Sequence, residues 1–348
     1  MLRIFQLMKS NLEYKGKTLH HFFVQSSTTE IAALWAIEVQ GLTSKEIQFV
    51  QLRGYKAFSK YPIVEPKSQW TATRYWQQFQ NPERLRHIVD TLLIKPGDHV
   101  YTPQCSLPFI KILYRSMPNI SIHLIEEGTA NYIYKVDQPP YRNSFRMKRN
   151  EITTALIKLL FGQTAFHKFG PGCFFPSYIG SAFLLSEHAN IDFPDEKRIV
   201  ADFENICAKI APPQHAKRYA SAILVLDPLP PSNDGKITVL KNLISYAENE
   251  KSSNARLIIK PHPRDDIACI SAIIEDLDLE LELSLTPIEL LNATHDITEL
   301  FVGLSSTALY AAMLNIPIKR IDATTNNKTL IKQKIDYLIS KIANTPPT

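Results

Sequence analysis

A chain of 348 residues with 45% hydrophobic side chains is long for one domain and comfortable as two, with enough apolar material for ordinary buried cores, so it should fold unaided. A net charge of +5 and a pI of about 8.8 are too weakly basic to mark nucleic acid as the partner, yet compatible with an anionic ligand or lipid headgroups. Cys105, Cys173, Cys207 and Cys269 are widely spaced with no C-x-x-C pair, which favours buried reduced thiols over a disulfide or metal site and points to the cytosol.

The opening stretch "MLRIFQLMKSNLEYKGK" lacks a sustained apolar segment, and no run approaches the ~20 apolar residues that span a bilayer. The chain is therefore expected to be neither exported nor integral. Short apolar runs then alternate with helical patterns. "HHFFVQ" (20–25) precedes "TTEIAALWAIEVQ", "GDHVYTP" (97–103) precedes "LPFIKILYRSM", and "ISIHLI" (120–125) ends at Glu126-Glu127-Gly128. A second series starts after the turn-rich "APPQHAKRYA" (211–220). It runs through "SAILVLDPLPPSNDG", the helix-like "ITVLKNLISYAENE", "ARLIIKPHP", "LELELSL", "PIELLNA", "ITELFVGLSS" and "IPIKRID". This βα alternation predicts parallel sheets covered on both faces. We read an α/β protein of two Rossmann-like domains, 1–212 and 213–348, hinged near 205–220, with the ligand at the carboxyl ends of the strands between them. The tail "TLIKQKIDYLISKIA" predicts an amphipathic helix over about 328–343 that packs back on the N-terminal domain.

Three stretches carry plausible chemistry, each where a strand ends. Glu126 and Glu127 follow an apolar strand, and Gly128 allows a tight turn. A carboxylate partly desolvated there has its proton affinity raised toward general-base use; a solvated loop or a helix cap is the ordinary alternative. In "LIIKPHPRDD", His262 stands between two prolines, which stiffen the loop and fix its direction. Lys260, Pro263 and Arg264 around it make a rigid cationic loop suited to a phosphate. In "VGLSSTALYAAMLN", Gly303, Ser305, Ser306 and Thr307 precede a helix, where free N–H groups and hydroxyls favour an anion; Ser and Thr are also ordinary N-caps.

The combination and order of these motifs resemble the bacterial sialyltransferase and polysialyltransferase superfamily. Its members have the GT-B architecture, with the active site between two Rossmann-like domains, and use CMP-activated nonulosonic acids. The resemblance spans roughly residues 20–320. It implies a metal-independent, inverting glycosyltransferase that needs no cofactor beyond its CMP-sugar donor. It makes Glu127 the general base with Glu126 a neighbour or rival, His262 the group that stabilises or protonates the departing CMP phosphate, and Ser305 with Ser306 the phosphate clamp. Glu289 in "TPIELL" matches the acidic residue that holds the cytidine ribose, with Glu280, Glu282 and Glu299 nearby. Many relatives carry Asp at one or both positions of the acidic pair, where this chain has Glu-Glu. The chemistry fits the residues: a carboxylate, an imidazole and a helix N-terminus deprotonate an acceptor and neutralise charge on a leaving phosphate. Asp276-Leu277-Asp278, the one D-x-D string, reads as a solvated turn, and neither G-x-G-x-x-G nor a P-loop is present.

The expected partners are a CMP-sugar and an oligosaccharide or glycolipid acceptor, such as lipooligosaccharide or a capsule precursor. Arg142, Arg146, Lys148 and Arg149 precede an apolar segment, as in a peripheral contact with the inner face of the cytoplasmic membrane or an acidic glycan, but a solvated helix packed by one face is the favoured reading. The stretch "QSSTTE" (25–30) is expected to face the cleft and touch acceptor or donor. Two alternatives stay open: another cytidine-nucleotide envelope transferase, for Kdo or glycerophosphate, and a non-catalytic GT-B-like assembly protein.

Overall fold

A computed structural model of the chain describes residues 18–52, 55, 57–64, 92–103, 110, 113–114, 117, 119–132, 178–189, 193–210, 219–227, 229–230, 232–262, 265–277, 281–284, 287–303, 305, 307–321 and 329–344. The chain forms two compact units, Met1–Ala201 and Asp202–Thr348. The division falls ahead of the expected boundary after residue 212. The reason is helix α2 (Phe203–Ile210), whose buried side chains Phe203, Ile206 and Cys207 belong to the second unit. Phe203 lies against Tyr310 of that unit, with ring centroids 5.5 Å apart.

The first unit carries β1 (His20–Val24), α1 (Ser27–Gln40), β2 (Ile47–Gln51), β3 (Ile63–Val64), β4 (His99–Thr102), β5 (Ser121–Ile125), β6 (Ile179–Leu184) and β7 (Arg198–Val200). Its strands make a parallel sheet in the order β3-β2-β1-β4-β5-β6-β7. The second unit carries β8 (Ala220–Val225), α3 (Asn233–Glu250), β9 (Arg256–Lys260), α4 (Ile267–Glu275), β10 (Leu281–Leu283), α5 (Ile288–Thr294), β11 (Asp296–Val302), α6 (Thr307–Met313), β12 (Ile318–Arg320) and α7 (Thr329–Asn344). Its sheet, also parallel, runs β10-β9-β8-β11-β12. The expected pair of doubly wound α/β units is present. In each, strand order reverses once, beside β1 and β4 in the first unit and beside β8 and β11 in the second, and such switch points are where open α/β sheets bind ligands.

The central strands are buried along nearly their whole length: "HHFFV", "ASAILV" and "DITELFV" lie between covered faces, which is why they read as apolar runs. In the second unit Leu224, Leu226, Leu257, Ile259 and Phe301 pack with Leu240 and Ile244 of α3 and Ile270 and Ile273 of α4. Strands β2, β3, β6 and β7 and helix α2 went unanticipated, and α3 begins earlier than expected. "SNDG" is its first turn rather than a loop, with Ser232 at the N-cap, a position and turn that suit Ser, Asn and Asp. The segment "LPFIKILYRSM" lies mostly outside the described residues. Helix α7 is present and packs on α6 of its own unit.

One face of the first sheet buries a stack of imidazoles. Register sets His20 beside His99, and their rings stack at 4.6 Å; His99 stacks in turn on His123 at 5.3 Å, with His99 Nδ1 3.0 Å from His123 Nε2. Tyr101 donates its hydroxyl proton to Gln40 Oε1 (2.6 Å), so its oxygen accepts from His20 Nδ1 (3.0 Å). On the opposite face His21 Nε2 meets Asp98 Oδ2 at 3.0 Å, and that carboxylate also accepts from the backbone of Leu19 and Lys95. Desolvation first, and then repulsion from neighbouring imidazoles, lower His20 from the ordinary 6.5 to about 4 and His123 to about 3. Between about pH 4 and 6.5 both are neutral in the native state while an unfolded histidine is already charged. Below pH 6.5 the unfolded chain therefore binds more protons, and stability falls as pH drops toward 4; above 6.5 these groups contribute no pH dependence. Melting curves across pH 4–8 should show a plateau at neutral pH and a loss of several degrees on acidification. His123→Phe should flatten the acid limb, and an unchanged limb would remove the stack as its cause.

Candidate active site

The first set of site residues forms where β5 leaves its sheet. Glu126 extends the ladder by one bond, its N–H donating to Phe183 O of β6 at 3.1 Å. Its side chain has no exposure (0%). Oε1 accepts from Tyr132 Oη and Oε2 from the backbone N–H of Leu185, both at 2.7 Å. A buried carboxylate needs such donors, and here they tie the end of β5 to the end of β6. Glu127 points the other way and is half-buried. Asn131 Oδ1 accepts from the backbone N–H groups of Glu127 (2.7 Å) and Gly128 (3.1 Å), while Asn131 N–H donates to Gly128 O (2.9 Å). That closes a tight turn in which Gly128 takes φ 126°, a value that favours glycine. Glu127 Oε1 accepts from Gln25 Nε2 at 2.5 Å.

Gln25 follows β1, one position before the Ser26 N-cap of α1. Thr29 Oγ1 accepts from the backbone N–H groups of Gln25 and Ser26, both at 2.9 Å, and Ser26 Oγ accepts from Thr29 N–H at 3.3 Å. The stretch 25–30 is thus a helix start, not a free loop. Glu30 within it is buried and accepts from Tyr55 Oη and the N–H groups of Phe58 and Ser59.

The second set lies at the carboxyl ends of β8, β9 and β11. Lys260 ends β9 and its carbonyl accepts from Leu226 N–H at 3.0 Å. Pro261 is buried and His262 half-buried. His262 O accepts from Asp265 N–H (2.9 Å), and Asp265 Oδ1 accepts from Leu229 N–H (3.2 Å), which pins the histidine turn to the loop after β8. After β11, a Cβ on Gly303 would fall inside contact distance of Asp227 Oδ2, so the close approach of that carboxylate requires glycine there. Gly303 O accepts from Arg320 Nη1, and Arg320 is paired with Asp336 of α7 at 2.6 Å. Ser305 Oγ lies 2.8 Å from Thr307 Oγ1 and accepts from Thr307 N–H at 3.2 Å, capping α6.

Glu127, Glu126 and Gly128 therefore share one turn, and His262 on one side and Gly303, Ser305 and Thr307 on the other follow β9 and β11, the strands that flank β8 in the second unit. Glu289 stands on α5, with its side chain outside the described residues. Pro263, Arg264, Ser306, Glu280 and the basic stretch Arg142, Arg146, Lys148 and Arg149 lie outside them entirely. Of the nearby glutamates, Glu299 is committed elsewhere, held by Lys319 Nζ (2.7 Å) and the N–H of Ser252 (2.6 Å). Attraction and hydrogen bonds from those groups outweigh desolvation and keep its carboxyl below the usual range. Sequence reading did not single out Asp227, although an acid closely following an apolar strand is part of the signal used for Glu126 and Glu127, with a proline after it here in place of the glycine. Among the described residues no group of three or more His, Cys, Asp and Glu side chains is placed to hold a metal ion.

A model of the alpha-2,8-polysialyltransferase family matches residues 100–324. The chain belongs to this family. No curated protein matches this polysialyltransferase-family chain in sequence. Among solved structures it is similar to the alpha/beta-galactoside alpha-2,3-sialyltransferase of Photobacterium phosphoreum, with a TM-score of 0.53 and 13% identity over 95% of this chain and 97% of that one. The UDP-GlcNAc 2-epimerase of Methanocaldococcus jannaschii, in complex with UDP-GlcNAc and UDP, has a TM-score of 0.48 at 14% identity, covering 94% and 93%. The fold of this polysialyltransferase-family protein is the expected GT-B type with two α/β domains. It is a sialyltransferase-type glycosyltransferase, with a nucleotide-sugar donor and a glycan acceptor. No helix among its described residues is long and apolar enough to cross a membrane.

Proposed function

We propose that the protein transfers a sialic acid or related nonulosonic acid, with inversion, from a CMP-activated donor to a bacterial surface glycan such as lipooligosaccharide or capsule. The observation that carries this reading is the division of the acidic pair within a polysialyltransferase-family chain. Glu126 is buried and doubly bonded, whereas Glu127 is presented at a strand end on a pinned backbone. In the proposed scheme the first domain supplies Glu127 as the base that takes the acceptor hydroxyl proton. The second supplies His262, which donates to the departing phosphate, and Gly303, Ser305, Ser306 and Thr307, which hold it. Lys260, Pro263 and Arg264 shape the same phosphate loop, and Glu289 holds the ribose. The charge balance needs no metal, since cationic and N–H groups meet the leaving phosphate. The reaction is placed in the cytoplasm, with Arg142, Arg146, Lys148 and Arg149 as the contact to the inner membrane face.

Thermal denaturation with nucleotides tests the donor class. CMP should raise Tm more than UMP, GDP or ADP, because a ligand that binds only the folded state adds about 2.7 kcal/mol at a hundredfold excess over Kd. Equal shifts with UMP would sink cytidine selectivity. Product analysis with CMP-N-acetylneuraminic acid, CMP-Kdo and CDP-glycerol then separates the nonulosonate reading from the other cytidine transferases.

A further inference from the structure

We propose that Gln25 is a positioning residue for the acidic turn: its side-chain amide holds the Glu127 carboxylate in one orientation and in its ionised form. The catalytic part of this inference rests on the reading of Glu127 as the base; the pairing itself does not. Gln25 and Glu127 are 102 positions apart, yet Nε2 and Oε1 lie 2.5 Å from each other. The bond runs from the end of β1 to the end of β5, across the end of β4 that separates them in the sheet, at the point where strand order reverses.

Each partner is held independently of the bond. Thr29 Oγ1 takes the N–H of Gln25 within the cap of α1, and Asn131 Oδ1 takes the N–H of Glu127 within the glycine turn. Two fixed backbones leave only the side chains to set, and the amide sets one of them. An N–H that donates to a carboxylate favours its charged form, so losing the amide makes Glu127 easier to protonate. Glu126, one residue earlier, is engaged by Tyr132 and Leu185 on the other side of the strand, so it does not compete for Gln25.

The test begins without any substrate. In protein labelled at the glutamate carboxyl carbon, with the Glu127 signal identified by its loss in Glu127→Gln, the titration midpoint of Glu127 should rise in Gln25→Leu. It should rise further in Gln25→Glu, which keeps the shape but replaces the donor with a like charge. Tm should stay close to wild type in Gln25→Leu. Transfer is then followed with CMP-N-acetylneuraminic acid and an α-2,8-linked sialyl oligosaccharide. Gln25→Leu should lower kcat about tenfold, the scale of a hydrogen bond to a charged group, with donor KM little changed and the acid limb of the kcat profile moved to higher pH. Because Gln25 acts through Glu127, the double variant Gln25→Leu/Glu127→Gln should be no slower than Glu127→Gln alone. An unmoved titration midpoint in Gln25→Leu overturns the pairing. A moved midpoint with an unaltered kcat profile overturns the positioning role. Retention of transfer by Glu127→Gln, with the midpoint still moved by Gln25→Leu, overturns the base assignment and leaves the pairing standing.

Discussion

If Glu127 is the base proposed above, Glu127→Gln is expected to lower kcat for transfer by about 10² or more while leaving Tm nearly unchanged, because it removes proton affinity and keeps the size and most of the hydrogen bonding of the side chain. The local structure makes that separation possible. The backbone of Glu127 is held by Asn131, and the turn by Gly128, so the carboxylate is not what keeps the turn folded. Glu126→Gln is the matched control and has the opposite profile. Glutamine there sets an amide against two donors, Tyr132 Oη and Leu185 N–H, in a site with no exposure. One buried donor left unsatisfied costs about 1–3 kcal/mol, so this variant should melt earlier and, once folded, lose far less activity than Glu127→Gln. Transfer rates and melting curves for the two variants side by side decide the matter. A larger catalytic loss at Glu126 would reverse their roles and leave the transferase family untouched.

His262→Ala is expected to lower kcat strongly, on the order of 10², with a modest change in donor KM. In the proposed scheme the imidazole is needed chiefly as charge develops on the departing phosphate, whereas binding is shared with the residues around Gly303 and Ser305. The turn should survive the change: it is closed by the carbonyl of residue 262 and by Asp265 reaching Leu229 N–H, neither of which uses the side chain. Ser305→Ala, by contrast, also removes the cap on Thr307 N–H, so its effect should fall on donor binding and on the order of α6. Steady-state kinetics over a donor range separates the two patterns. Most of the activity retained in His262→Ala would remove the histidine from the reaction.

The strands read from the sequence were β1, β4, β5, β8, β9 and β11, because a strand covered on both faces must be apolar almost throughout, together with the edge strands β10 and β12 inside "LELELSL" and "IPIKRID". Those missed were interrupted or very short: Gln48 breaks β2, Gly180 and Ser181 break β6, β3 has two residues, and β7 sits partly exposed at the sheet edge. The acidic turn was legible for a local reason, a glycine directly after two acids at a strand end. The histidine stack was not, because neighbouring histidines in β1 point to opposite faces and only the register of β1 on β4 sets His20 against His99. The same holds for Gln25, whose partner depends on strand order, and for Asp227, whose approach to Gly303 appears only when β8 and β11 lie side by side.

The strand order that places these groups also governs when they can exist. In the first domain β1 pairs with β4, and the residues flanking that junction, Leu19 and Asp98, are 79 positions apart. A contact of that span closes late, since the loop entropy must be met before the pairing repays it. On the ribosome, β1 and α1 emerge long before the strand that completes their sheet, and the Gln25–Glu127 bridge waits longer still, until the turn after β5 has been made. The Gln25–Glu127 bridge therefore waits on β1, β4 and β5 coming into register, while the loops after β9 and β11 form from a separate, later-synthesised stretch whose sheet closes by the β8–β11 junction. A pause in synthesis between residues 99 and 127 would leave β1 and α1 made while the acidic turn that Gln25 meets is still unmade.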